Sequence, residues 1–61
     1  MKINEFIRLL SKAGCEIEDH GKKHDRWYSP ITGQSDMLPR HVTKDLGKGL
    51  EQRLRKTLLG Q

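Results

Sequence analysis

One short stretch of the sequence carries the side chains best suited to chemistry. It reads Gly21-Lys22-Lys23-His24-Asp25-Arg26-Trp27-Tyr28-Ser29-Pro30 and holds the only tryptophan and the only tyrosine of the 61-residue chain. Histidine is the side chain that titrates nearest to neutral pH. A well-placed His24 can therefore take a proton from a ribose 2′-hydroxyl group or give one to a leaving 5′-oxygen. We take His24 as the candidate catalytic residue.

The residues around His24 suit a nucleic-acid ligand. Lys22, Lys23 and Arg26 would bind a phosphate and stabilise the charge that develops on it. Side chains alternate along a strand, so Tyr28 shares a face with His24, and its ring can stack on an unpaired base or donate a hydrogen bond. Two weaker candidates follow later in the chain, Arg40 as an RNA-facing cation and His41 as a residue that positions the substrate.

Each of these residues also has a plainer interpretation. An exposed strand histidine is more often only polar surface, and from spacing alone that interpretation is favoured for His24. His20 is expected to be a turn residue and His41 a loop residue. A zinc site drawn from these three histidines and Cys15 is conceivable, but no paired ligand motif supports it. We therefore expect no metal and no cofactor.

Composition limits the possible classes of protein. The length predicts a single domain over residues 1–61, and its net charge of +4 favours a polyanionic partner such as nucleic acid, although a surface that is merely basic is the alternative. Most of the excess positive charge lies in residues 31–61, with six Lys and Arg against three acids.

No apolar run approaches the roughly 20 residues of a membrane span. No secretory signal pattern is present, and a lone cysteine suits a reducing compartment. We therefore expect a cytoplasmic protein.

Hydrophobic periodicity predicts two helices with three strands between them. Ile3, Phe6, Ile7, Leu10 and Ala13 form one stripe of a helix over residues 4–13. Asn4 is expected to cap its start and Gly14 to end it. The second helix covers residues 48–59, where leucines recur every four residues, and Gly60 ends it.

Alternating side chains predict strands at residues 15–20, 24–29 and 35–38. Cys15 and Ile17 would be half-buried, and Trp27 would be a core residue. Pro39 ends the third strand or marks a sheet edge. The resulting fold class is α+β, an α-β-β-β-α two-layer sandwich. Its three-stranded antiparallel sheet carries two helices on one face.

The order and spacing of several short motifs resemble the HicA family, the toxin component of HicA–HicB toxin–antitoxin systems. They are the opening helix through Gly14, the stretch from Gly21 to Pro30, Thr32-Gly33, Leu38-Pro39-Arg40-His41, Leu46-Gly47-Lys48-Gly49 and the terminal leucine-rich helix. The family often has a glycine and a serine or threonine before its histidine, whereas Lys22 and Lys23 stand there in this chain.

The resemblance implies a double-stranded-RNA-binding-domain-like fold and endoribonuclease action on mRNA. It also implies an essential histidine matching His24, and neutralisation by a HicB-type antitoxin that sets the oligomeric state of the complex. Two other hypotheses stay open: a non-catalytic RNA-binding module of the same fold, and an interaction module whose basic helix meets an acidic protein.

Overall fold

The computed structural model describes residues 1–40 and 44–61. In chain order its elements are α1 (Ile3–Lys12), β1 (Glu16–His20), β2 (His24–Tyr28), β3 (Ser35–Pro39), α2 (Lys48–Leu54) and a π-helical turn (Arg55–Leu59) that continues α2. The predicted α-β-β-β-α order is therefore confirmed. Neither described helix is long and apolar enough to cross a membrane.

Helix α1 has its predicted apolar stripe but not its predicted cap. Ile3, Phe6 and Leu10 are buried on that stripe. The N-cap position is Lys2, and no side chain caps the helix, so the role predicted for Asn4 is wrong. The physical reason is tertiary, because the Ile3 N–H donates to the Lys44 carbonyl at 3.0 Å. Backbone from another part of the chain thus satisfies one of the N–H groups that a cap would serve.

The three strands form an antiparallel sheet in the order β1-β2-β3. In β2, Trp27 is buried while His24 and Tyr28 are exposed, as the alternation predicts. In β1, however, all five residues are exposed, and Ile17 is 41% exposed. The expectation that Ile17 is half-buried is wrong, because a bulge after Ile17 interrupts the pairing of β1 with β2, and the strand residues in the core come from β2 and β3.

Helix α2 begins at Lys48 as predicted, but its last turn widens into a π-helix from Arg55 to Leu59. The prediction of a regular helix as far as Leu59 is therefore wrong in its last turn. Two side chains donate to the Leu58 carbonyl there: the Ser29 hydroxyl at 2.5 Å and the Cys15 thiol at 3.6 Å. Gly60 then ends the helix in the left-handed conformation, as the sequence predicts.

One apolar core joins both helices to one face of the sheet. Among residues 1–40 and 44–61 it contains nine buried residues: Ile3, Phe6, Leu10, Cys15, Trp27, Leu38, Leu46, Leu54 and Leu58. The strand residues in this core, Trp27 and Leu38, lie on the helix-covered face. The opposite face stays exposed, and we call it the open face. It carries His24, Arg26 and Tyr28 of β2 together with Ser35 and Met37 of β3.

Candidate active site on the open face

A tight turn between β1 and β2 positions the candidate catalytic histidine. The Gly21 N–H donates to the His24 carbonyl at 2.9 Å, which closes the turn around Lys22 and Lys23. A Cβ atom at position 21 would lie only 2.5 Å from that carbonyl oxygen. Glycine is thus required here by the close approach of the backbone, and it fixes the start of β2.

His24 is exposed on the open face at the first position of β2. No other residue in the described part of the chain is hydrogen bonded to its ring. Lys22 and Lys23 are exposed in the adjoining turn, and Arg26 is exposed two positions further along β2. Within the described ranges these three cations also have no hydrogen bond or ion pair. The structure therefore brings together an imidazole and three cationic side chains that have no hydrogen bond or ion pair within the described residues.

Tyr28 lies at the other end of β2, about 13 Å from His24 at the usual rise of a strand. It is 40% exposed. Its cross-strand partner in β1 is Glu16, and the nearby Glu18 carboxylate accepts a hydrogen bond from the Ser35 hydroxyl of β3 at 3.0 Å. Two acidic residues therefore lie near Tyr28, whereas Lys22, Lys23 and Arg26 lie toward the His24 end of β2. Tyr28 therefore lies apart from His24 and its neighbouring cations, and its contact with RNA stays a prediction.

Arg40, predicted as an RNA-facing cation, makes contacts within the chain. Its Nε donates to the Asp25 carboxylate at 2.9 Å, and its guanidinium also donates to the Gly21 carbonyl. The same carboxylate accepts a hydrogen bond from His20 Nδ1 at 3.1 Å. Arg40 is thus tied to the β1–β2 turn by two direct contacts, with the Asp25 carboxylate and the Gly21 carbonyl. His20 bonds the same carboxylate.

Asp25 is the acceptor at the centre of this network, with its side chain only 17% exposed. Partial desolvation raises the pKa of Asp25, but the hydrogen bonds and positive charges of Arg40 and His20 lower it by more. The net effect is a pKa below the ordinary value of an aspartate. Asp25 is therefore a firmly ionised acceptor for its two donors.

Ion pairs within the chain also engage two arginines of the terminal helix. Arg53 makes a two-pronged ion pair with Asp36, at 3.0 and 3.1 Å, and Arg55 pairs with Glu51 at 2.9 Å. The cationic excess of residues 31–61 is thus partly neutralised within the fold. This arrangement weakens the hypothesis that a basic terminal helix meets an acidic protein.

The candidate metal ligands that lie in the described residues are not grouped. No cluster of three or more His, Cys, Asp or Glu side chains able to hold a metal ion occurs in residues 1–40 and 44–61. Cys15 is buried against the terminal helix, and His20 is engaged by Asp25. His41, predicted as a positioning residue, lies outside the described residues.

Sequence reasoning missed the part played by Asp25. Alternation along β2 puts Asp25 on the same face as Trp27, but the sequence shows no partner for it, and His20 was expected to be only a turn residue. The signal that could have found the network is the strand register. His24 pairs with Pro39 and Asp25 with Leu38, so Arg40 follows directly beside the turn. The sequence left that register open because the length of the β2–β3 connection permits several.

The comparisons with known proteins identify the family. The family model described as the HicA toxin of bacterial toxin–antitoxin systems matches residues 3–58, nearly the whole chain. The protein therefore belongs to the HicA toxin family, and this membership implies an mRNA interferase. The comparison with curated proteins gave no match, and neither did the comparison with solved structures.

Proposed function

We propose that this toxin is an endoribonuclease that cleaves mRNA with His24 as its general acid or base. The observation that carries the proposal is the exposed His24 ring, unbonded within the described residues and flanked by Lys22 and Lys23. In its neutral form the ring accepts a proton from a ribose 2′-hydroxyl group. In its protonated form it donates a proton to the leaving 5′-oxygen. Such catalysis contributes about 100- to 10,000-fold to the rate.

The cations at this end of the sheet have the second role in the proposal. Lys22, Lys23 and Arg26 hold the phosphate beside His24 and stabilise the negative charge that grows on it in the transition state. Tyr28 contacts a neighbouring base, and His41 is a further candidate for positioning the RNA. The protein acts as one domain in the cytoplasm, in this proposal.

The first test is His24→Ala. We expect this variant to bind RNA but to cleave a labelled RNA at least about 100-fold more slowly than the parent. Circular dichroism should show an unchanged fold, because the side chain is exposed. Asn4→Ala is the control, since it removes an exposed side chain of α1, away from the open face. Cleavage at the parent rate by the His24 variant would show that the assignment is wrong.

We also propose that cleavage needs no metal ion. The imidazole and the cations together supply proton transfer and charge stabilisation. Cleavage by the purified protein should therefore persist when EDTA is present. Activity that is lost with EDTA and restored by a divalent cation would contradict this part of the proposal.

The alternative is an RNA-binding module with no catalytic activity. It predicts RNA that is bound with a steep salt dependence and remains intact after long incubation. The position of His24 favours cleavage, because a module that only binds has no need of an unbonded imidazole among its phosphate-binding cations.

A HicB-type antitoxin protein is the proposed partner, supported by membership of a toxin–antitoxin family. Covering the open face near His24 would exclude RNA, and acidic groups on the antitoxin would pair with Lys22 and Lys23. Co-purification with the product of an adjacent HicB-like reading frame, with loss of cleavage in the complex, tests this proposal.

A further inference from the structure

We propose that Arg40 and Asp25 form a clamp that positions the catalytic turn, and that Arg40 acts through this clamp rather than by binding RNA. The clamp consists of the Arg40 guanidinium, the Asp25 carboxylate and the Gly21 carbonyl. The inference rests on the proposed ribonuclease function and assigns positioning residues to it.

The contacts of Arg40 are those of a bridge. It follows β3 directly, and its side chain reaches both Asp25 on β2 and the backbone of Gly21 in the β1–β2 turn. One planar guanidinium, with several donors in fixed directions, thus connects three consecutive parts of the sheet. The turn it holds carries Lys22, Lys23 and His24.

The acceptor side of the clamp is equally specific. The Asp25 carboxylate is largely shielded from solvent, lies next to His24 in sequence and accepts from both Arg40 and His20. Asp25 points to the opposite face of the sheet from His24. It therefore does not touch a substrate held on the open face, and in this proposal its effect on cleavage acts through the position of the turn.

An RNA-binding role and a positioning role for Arg40 predict different results for Asp25→Asn. If Arg40 contacts RNA, loss of the neighbouring negative charge releases the guanidinium, and RNA binding stays equal or tightens. If Arg40 positions the turn, the loss of its anchor displaces His24, and kcat falls. A displacement of about 1 Å is enough for a loss of up to about 100-fold.

The experiment measures kcat and KM of each variant on one labelled RNA. We expect Arg40→Ala and Asp25→Asn each to lower kcat about 10- to 100-fold with KM changed less than about threefold. The double variant should be no worse than the poorer single variant, because both changes break one unit. Arg8→Ala is the matched control, an exposed arginine on α1 with no partner in the described part of the chain.

Arg40→Lys keeps the charge and is the gentlest variant of the clamp. A lysine is a point charge that still binds phosphate but cannot reproduce the forked contact to Asp25 and Gly21. Loss of kcat in Arg40→Lys supports the clamp. A rise in KM for Arg40→Ala that Arg40→Lys reverses, with kcat of Asp25→Asn unchanged, would overturn it.

Amide hydrogen exchange gives a readout that does not depend on activity. Arg40→Ala should speed exchange of the Gly21 N–H, which closes the turn, and leave the amides of α1 unchanged. Unchanged exchange at Gly21 would refute the clamp. If no preparation cleaves RNA, the ribonuclease proposal fails, and the exchange result still decides whether Arg40 holds the turn.

Discussion

Gly21 is the residue on which the geometry of the candidate site depends most directly. Any side chain at this position would bring a Cβ atom to 2.5 Å from the His24 carbonyl oxygen. The obstacle is backbone, so no side-chain rotation relieves it. The turn itself must open, and His24 moves with it.

We therefore predict that Gly21→Ala cleaves RNA about 10- to 100-fold more slowly than the parent, because the imidazole is misplaced. The matched control is Gly49→Ala in α2, where a Cβ atom meets nothing within 4 Å. That change should leave cleavage unchanged and stabilise the helix by up to about 1 kcal/mol. Equal cleavage by both variants would contradict the role given to Gly21.

The carboxylate of Asp25 makes a prediction about pH. Its pKa lies below the ordinary aspartate value because Arg40 and His20 outweigh its partial desolvation. A carboxylate of this kind stabilises the fold above its unfolded pKa of about 3.9. That contribution disappears as pH falls through the lower folded value.

Asp25→Asn should therefore unfold at a lower urea concentration than the parent at pH 7. The difference should shrink progressively as the pH is lowered below about 4. Asp19→Asn removes an exposed carboxylate that has no bond to the described residues, and it should change the midpoint little at either pH. A deficit for Asp25→Asn that is constant from neutral to acid pH would rule out the ion pairs as its cause.

At the scale of elements, the β2–β3 connection is joined to the end of the terminal helix. Ser29 is fully buried; its hydroxyl donates to the Leu58 carbonyl and accepts from the N–H groups of Ile31 and Thr32. The Thr32 hydroxyl donates to the Thr57 carbonyl at 2.5 Å. Carbonyl groups at the end of a helix lack partners within it, and the connection supplies them here.

Ser29→Ala should consequently cost about 1–3 kcal/mol, because it leaves buried backbone groups without a partner. Urea unfolding followed by the fluorescence of Trp27 measures the loss. Ser35→Ala is the control, since this exposed hydroxyl bonds only the exposed Glu18 among the described residues. A loss no larger than that of the control would mean that the Ser29 hydroxyl does not hold the two elements together.

The β3 edge of the sheet is protected against pairing with another strand. The Ser29 N–H donates to the Gln34 carbonyl, so alternation turns the Met37 N–H away from β2. The Asp36 carboxylate accepts that N–H at 2.8 Å and is itself held by Arg53. Pro39, two residues on, has no N–H to offer. An incoming strand would therefore find few donors along this edge.

At the scale of the whole molecule, folding redistributes the effective positive charge. Arg40, Arg53 and Arg55 are occupied by Asp25, Asp36 and Glu51. Lys22 and Lys23, in contrast, project from the turn beside His24 with no partner in the described ranges. We therefore expect a polyanion to bind at this end of the open face, although most of the charge excess lies in the second half of the sequence.

We predict that Lys22→Ala combined with Lys23→Ala weakens RNA binding. The salt dependence should flatten by about 1.4 in the slope of log K against log salt, the value for two contacts to single-stranded phosphates. Binding titrations at several salt concentrations measure this slope. The matched control is Arg8→Ala with Lys12→Ala on α1, which removes the same charge from a helix that packs on the other face of the sheet. Equal slopes for the two double variants would place the RNA elsewhere.

Local patterns along the chain are enough to predict the order of elements and the two faces of β2. These follow from local periodicity, with apolar residues every three to four positions in helices and every second position in strands. That periodicity is enough to bury Trp27 and expose His24. The family could also be recognised from the sequence, because the order and spacing of its short motifs are retained along the chain.

Only the tertiary structure decided which groups are paired. The Ile3 N–H meets Lys44 instead of an Asn4 cap, Arg40 meets Asp25, and the end of the terminal helix is completed by Ser29. Each contact joins residues far apart in the chain and depends on strand register and helix docking, which local patterns do not encode. His24 could therefore be predicted from local alternation, whereas the clamp of Arg40, Asp25 and Gly21 is seen only in the folded chain.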